Sequence, residues 1–203
     1  MTEPAANRKH AILDAACRAI ARCGAAAVRV SDVAREAGVS TALVHYYFPS
    51  RADVIVRAFA HADDMADALT DALIADLPNG RERVERLIMT WAGDDPAIRT
   101  NWAVWNEMWQ YAAHNEAARA MVADSHQRWL DQVADLIGQG VADGSISADV
   151  DVDGASRRLA ACVDDWGRET LIAMRTPAGM RTALAAATAH ELGPVRSARG
   201  RAA

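Results

Sequence analysis

The sequence is poor in the residues that build sheets or covalent staples. It holds only two Phe and three Tyr, and no run of β-branched residues occurs, whereas Ala recurs throughout. That balance favours helix over strand and predicts an all-α fold. The cysteines, Cys17, Cys23 and Cys162, are an odd number without a C-x-x-C pair. This excludes a disulfide framework and a thiolate zinc site, and points to a reducing compartment. No stretch of about eighteen consecutive apolar residues is present, and Asp14, Arg18 and Arg22 interrupt any secretory apolar region. The expected setting is therefore the cytoplasm, with no membrane contact. G-x-S-x-G, H-E-x-x-H and Gly-rich phosphate loops are also missing, so the expectation is no enzyme, no cofactor and no metal.

What is present is an ordinary folding composition: 51% apolar and 24% charged over 203 residues, enough for one or two domains with a real core. The net charge of −5 conceals an asymmetry. Residues 1–60 carry eight Lys and Arg against five Asp and Glu, a balance of +3; the remainder carries fourteen against twenty-two, a balance of −8. A basic segment on an acidic body suggests a nucleic-acid-facing N-terminus.

Helical periodicity and punctuation divide the chain. Ile12, Ala16 and Ile20 predict a first helix over 6–23, stopped by Gly24. A short helix over 31–37 is expected to use Ser31 as N-cap and Gly38 as its turn, and Ser40 caps a third over 41–47, which Pro49 ends. Ser50 caps a long amphipathic helix over 51–76, closed by Pro78 and Gly80. Further helices are predicted at 81–92, 96–113 (opened by Asp95 and Pro96), 115–142, 152–175 and 177–191, with a polar loop over 143–151. The domains read as a DNA-binding segment 1–50, a helical effector-binding and dimerisation body 51–192 and a disordered basic tail 193–203.

The segment SDVAREAGVSTALVHYYFPSR, residues 31–51, has the form of a helix-turn-helix, whose second helix lies in the major groove. Val33, Ala34, Val39, Val44 and Phe48 form its small core, while Thr41, Ala42, His45, Tyr46 and Tyr47 present hydroxyl, methyl, imidazole and phenol groups outwards. Ser31, Ser40, Ser50 and Arg51 stand at helix N-termini, where phosphates bind readily.

From the first helix through AREAGVSTALVHYYFPSR to the long fourth helix, residues 8 to 60, the chain resembles the TetR family of bacterial one-component repressors. The resemblance implies base contacts from Thr41, Ala42 and Tyr46, and phosphate contacts from Ser31, His45, Tyr47 and Arg51. It also implies an all-helical C-terminal domain that binds an inducer and dimerises. The family most often carries Tyr where His45 stands and His where Tyr47 stands. The body, through NWAVWNEMWQYAAHNEAARAM at 101–121 and SADVDVDGASRRLAACVDDW at 147–166, is similar to the C-terminal domain of choline-responsive BetI-type repressors.

Trp102, Trp105 and Trp109, spaced by three and four, share an arc of about 60° on one helix. Trp91 and Trp166 lie on apolar stripes of two other helices. Such a set serves either as ordinary core or as an aromatic wall for an organic cation or a flat apolar inducer. Asp165 and Glu169, four apart beside Trp166, and Glu107 beside the Trp stripe are candidate counter-charges. His61, Asp63 and Asp64, and Asp164 with Asp165, read as solvated faces, because adjacent helical residues point about 100° apart and do not converge on one ion. The expected partners are operator DNA, a small-molecule inducer and a second copy docked through residues 152–191, where Ala183, Leu184, Ala186 and Ala187 offer a small-residue surface for close helix approach. The rivals are a DNA-binding protein without an effector, whose body serves only assembly or protein contact, and a helical enzyme.

Overall fold

The structure, a computed structural model, describes residues 5–194. The predicted basic tail lies, from residue 195 onward, outside the described residues. Among these the chain forms nine helices and no strand, as the composition predicts. They are α1 (Ala5–Cys23), α2 (Val30–Ala37), α3 (Thr41–Tyr47), α4 (Arg51–Ile74), α5 (Gly80–Thr90), α6 (Pro96–Ala112), α7 (Glu116–Asp143), α8 (Val152–Leu171) and α9 (Pro177–Leu192). The punctuation works largely by local chemistry. The hydroxyls of Ser40 and Ser50 accept the backbone N–H groups of Leu43 and Asp53, each at 3.1 Å, and the Asp95 carboxylate accepts those of Ala97 and Ile98. Gly24 and Gly38 terminate α1 and α2 with φ of +80° and +66°, the left-handed region where a side chain is strained.

Two compact units emerge. The first runs through Ala68 and includes Asp95–Ser125; the second takes Leu69–Asp94 and continues from His126. The helix-turn-helix therefore folds together with α6, whereas the sequence places a boundary at residue 50. In the first unit Ile12, Ile20, Val44, Phe48 and Ile55 are wholly buried and Phe59 is 1% exposed. Val104 and Met108 of α6 are buried in that same core. Each such large apolar side chain contributes about 1.5–3 kcal/mol by leaving water.

The second unit packs α5, α8 and α9 with the C-terminal parts of α4 and α7 around Leu87, Ile88, Ile137, Leu159, Met180 and Leu184. Arg81, deeply buried in this unit, donates to the carbonyls of Leu192 and Gly193 at the end of α9, and to Glu85 at 2.9 Å.

Four local expectations are corrected. Ser31 is not the N-cap of α2: the helix begins one residue earlier after Arg29, whose N–H is received by the Asp32 carboxylate at 2.9 Å. Gly80 does not close α4, which ends at Ile74; it opens α5 under an Asn79 cap whose side chain accepts the Glu82 N–H, and only glycine fits there, since a Cβ would meet the Gly140 backbone nitrogen at 2.1 Å. α8 stops at Leu171 rather than 175, since Ala173 turns left-handed at φ +60° and the Glu169 carbonyl accepts from Met174 and Arg175. Leu184, expected on a small-residue docking surface of α9, is wholly buried in its own unit, leaving Thr182, Ala185, Ala186 and Ala189 exposed.

Candidate DNA interface and ligand-receiving helices

α3 is seven residues long and is held by Val44 and Phe48 beneath it. Its outer surface carries Thr41, Ala42, His45 and Tyr46, all exposed, Tyr46 to 79%. Tyr47 differs: it is half-buried, with Tyr46 edge-on at 5.1 Å and Phe48 at 6.4 Å on its other side. The outward set is thus one methyl, one imidazole, one phenol and one small hydroxyl, on a helix narrow enough for the major groove. Ser31 and Ser40 are exposed nearby.

The basic residues of this unit are mostly engaged. Arg18 and Arg22 of α1 both bind the Glu36 carboxylate of α2, at 3.0 and 2.7 Å, and hold its pKa below the usual carboxylate range, Arg22 having the larger effect. Arg35 pairs with Asp32, and Arg57 with Asp53 at 2.8 Å. Arg51 is half-buried and its guanidinium donates to the carbonyls of Val28, Ala25 and Ala26 at 2.6, 2.5 and 2.6 Å. The predicted phosphate ligand is therefore also the tie between the start of α4 and the turn after α1. Arg29, missed in the sequence reading, is exposed immediately before α2 and has no ion pair among the described residues.

Trp102, Trp105 and Trp109 do share one side of α6, with Val104 and Met108 filling the core beside it and Trp105 itself packed against that core. Trp102 and Trp105 are half-buried, and Trp109 is 40% exposed. Trp91 and Trp166 belong to the second unit. There Trp166 has a cation of its own: the Arg175 guanidinium carbon lies 5.2 Å from its ring centre. The acids beside it are paired, Glu169 with Arg175 at 2.6 Å and Asp165 with Arg168 at 3.4 Å. Glu107 accepts the Ala25 N–H at 2.7 Å.

The acids read as solvated faces divide in the structure. Asp63 is buried and receives the Ser125 hydroxyl at 2.7 Å; His61 Nε2 lies 2.7 Å from Asp14 Oδ1 and stacks on His10. Asp164 is half-buried, and its burial pushes the carboxyl up to about 6 against the opposing influence of His126 and Arg168. Trp129, one turn beyond His126 on α7, keeps a buried indole N–H without a hydrogen-bond partner among the described residues. Neither feature shows in the sequence, where Asp164 looks like the polar side of α8 and Trp129 stands outside the close Trp triplet. An open groove of about 300 Å³ in the second unit, where Asp71, Arg83, Gln132 and Asp135 stand beside Ile74, Ala75 and Leu136, mixes polar and apolar lining and holds no tryptophan. No group of three potential metal ligands and no helix long and apolar enough to cross a membrane occurs among the described residues.

An exposed recognition helix on a capped two-helix motif, joined to a helical body, defines the helix-turn-helix regulator class. Residues 12–58 match the profile of the bacterial regulatory proteins of the tetR family, and residues 80–193 that of the BetI-type transcriptional repressor C-terminal domain. The chain belongs to the TetR family, with a BetI-type C-terminal domain. It is 32% identical over 117 residues to the HTH-type transcriptional regulator BetI of Agrobacterium fabrum, a stretch covering 57% of this chain and 56% of that relative. It thus spans a little over half the length of such curated relatives. Among solved structures it is similar to a transcriptional regulator from Saccharomonospora viridis in complex with choline (31% identity, TM-score 0.83, 95% and 99% of the two chains covered). A TetR-family regulator from a Rhodococcus species is 30% identical at TM-score 0.83, with 93% of this chain and 100% of that chain covered.

Proposed function

We propose that this protein is a choline-responsive repressor that binds a pseudo-palindromic operator as a homodimer. The observation that carries the reading is the exposed face of α3, with Thr41, Ala42, His45 and Tyr46 standing clear of a core that continues into α6 and its Trp stripe. Thr41, Ala42 and Tyr46 read base edges. Ser31, Ser40, His45, Tyr47, Ser50 and the exposed Arg29 contact phosphates, and Arg51 adds its charge from behind. Trp102, Trp105 and Trp109 receive the trimethylammonium group, each desolvated ring face contributing about 0.5–2 kcal/mol. The crystallised choline complex of the Saccharomonospora viridis regulator supports that choice of ligand. Choline must bind better to the state that fits DNA badly, since equal affinity for both states shifts nothing.

Dimerisation uses residues 152–191, where the exposed Thr182, Ala185, Ala186 and Ala189 of α9 permit close helix approach in a four-helix bundle. Half-sites then lie about one DNA turn apart, near 34–36 Å, or a multiple of it. The test is a gel-shift scan of the DNA flanking the protein's own coding region, repeated with choline, betaine aldehyde and larger lipophilic cations while tryptophan fluorescence is followed. Specific retardation released by choline is expected. Retardation unchanged by every cation, together with silent fluorescence, returns the protein to an effector-independent DNA binder.

A further inference from the structure

Glu107 stands on the side of α6 away from the Trp stripe, beside the buried Val104, and its carboxylate is directed at the reading head. Its Oε2 accepts the Ala25 N–H at 2.7 Å, across 82 residues of sequence. Gly24 makes this approach possible twice over: its φ of +80° excludes most side chains, and a Cβ there would lie 3.2 Å from the same carboxylate oxygen. The turn that Glu107 holds is also held from the other side. Arg51 donates to the carbonyls of Ala25, Ala26 and Val28, and it follows directly on Ser50, whose hydroxyl caps α4, three residues after the Phe48 that caps the end of α3. Ala25 is 1% exposed and Val28 2%, so the turn is seated in the core with little freedom to slide. Ala25 thus has its N–H tied to α6 and its C=O tied to the first residue of α4. The apolar contacts of Val104 and Met108 also join α6 to the head, but dispersion is non-directional and tolerates a slip, whereas a charge-assisted hydrogen bond weakens steeply with displacement.

We propose that Glu107 is a positioning residue for DNA binding: through the Ala25 peptide and Arg51 it sets where the recognition helix stands relative to α6, so that a shift of α6 moves the reading head. The regulatory half of this inference rests on the proposed choline response; the positional half does not.

The experiment compares the full-length wild type with Glu107→Ala, Glu107→Gln, Glu107→Met and the exposed α6 control Gln110→Ala. Three quantities are measured: amide exchange of the 24–28 turn, affinity for the operator against random DNA, and operator affinity with and without choline. For Glu107→Ala, exchange in the turn should rise about tenfold and operator affinity should fall about 3- to 10-fold with random-DNA affinity little changed. The choline effect should shrink to under about twofold while choline binding by fluorescence persists, within the span of ordinary coupling energies. Glu107→Gln, whose amide oxygen still accepts the Ala25 N–H, should restore most of each, whereas Glu107→Met, which fills similar space without an acceptor, should behave as Glu107→Ala, an outcome that a general packing role does not predict. Should Glu107→Ala fail to fold, Glu107→Asp, one methylene short, carries the same test with the same signs. Exchange unchanged from wild type, or operator affinity equal to that of Gln110→Ala, overturns the proposal. A wild type deaf to choline overturns the ligand reading alone, because exchange and operator affinity are read without ligand and still decide the role of Glu107.

Discussion

Arg175 lies across the face of Trp166, its guanidinium carbon 5.2 Å from the ring centre, and its Nε bonds Glu169 at 2.6 Å. The protein's own cation already occupies one face of this ring. Trp166, Arg175 and Glu169 together hold the tight turn between α8 and α9.

Replacing Trp166 by Leu should therefore leave choline affinity within about twofold of wild type and lower stability by about 0.5–2 kcal/mol. Trp105→Ala should instead weaken choline binding several-fold. Isothermal titration and thermal melts read the two effects separately; equal losses of affinity from both variants would return Trp166 to the ligand wall.

Arg51→Lys tests a second engaged cation. An ammonium keeps the charge but lacks the planar fork that reaches three carbonyls. Loss of these bonds should cost about 1–3 kcal/mol, lowering the melting temperature by several degrees with no DNA present. A melting temperature equal to wild type, with DNA affinity reduced, would show a phosphate role alone.

Tyr46, 79% exposed on α3, lies outside the core, its ring edge-on to the neighbouring Tyr47. Tyr46→Ala should keep the wild-type melting temperature and weaken operator binding by about 1–3 kcal/mol while sparing random DNA. Competition gel shifts check it, and equal losses on operator and random DNA would contradict base reading.

Gly80→Ala should be among the most damaging single-methyl additions, because the new Cβ meets backbone at 2.1 Å rather than a movable side chain. α5 must then lift from α7, at a cost of about 1–3 kcal/mol or more. Gly138→Ala, with nothing within 4 Å of its Cβ, is the control and should be neutral or slightly stabilising. Chemical denaturation of both measures the difference.

The burial of Asp164 predicts a pH dependence of stability. Its carboxyl is raised from 3.8 to about 6 by burial, so the folded state binds the proton more tightly than the unfolded one. Stability from this group is fully present below about pH 3.8 and is lost as pH rises through about 6. Asp164→Asn should accordingly stabilise the protein by about 1–2 kcal/mol at pH 8, with the gain vanishing near pH 4. Melts of both proteins across that range check it; a gain independent of pH would point to packing instead.

Much of this was legible along the chain because it depends on neighbours a few residues apart. Ser40, Ser50 and Asp95 cap within three residues, and Ile12, Ala16 and Ile20 share a face by helical geometry alone. Ser31 misled for the same local reason: it is a good capping residue, but Asp32 receives the Arg29 N–H and starts the helix one step sooner. The Trp stripe on α6 was visible, whereas the separate fate of Trp166 was not, since Arg175 reaches it only after the chain turns at Ala173.

By itself the sequence determined the all-helical class, the position of the helix-turn-helix and the outward set Thr41, Ala42, His45 and Tyr46, because periodicity, caps and turn glycines act over one or two helical turns. Only the tertiary structure decided the partners of the charged groups. Glu107 meets Ala25 across 82 residues and Arg51 meets Ala25 across 26, while Asp164 and Asp165, adjacent in the chain, are half-buried and exposed. Long side chains choose among many partners, and their choice is set by which backbone groups packing leaves within reach, a quantity that no local pattern carries.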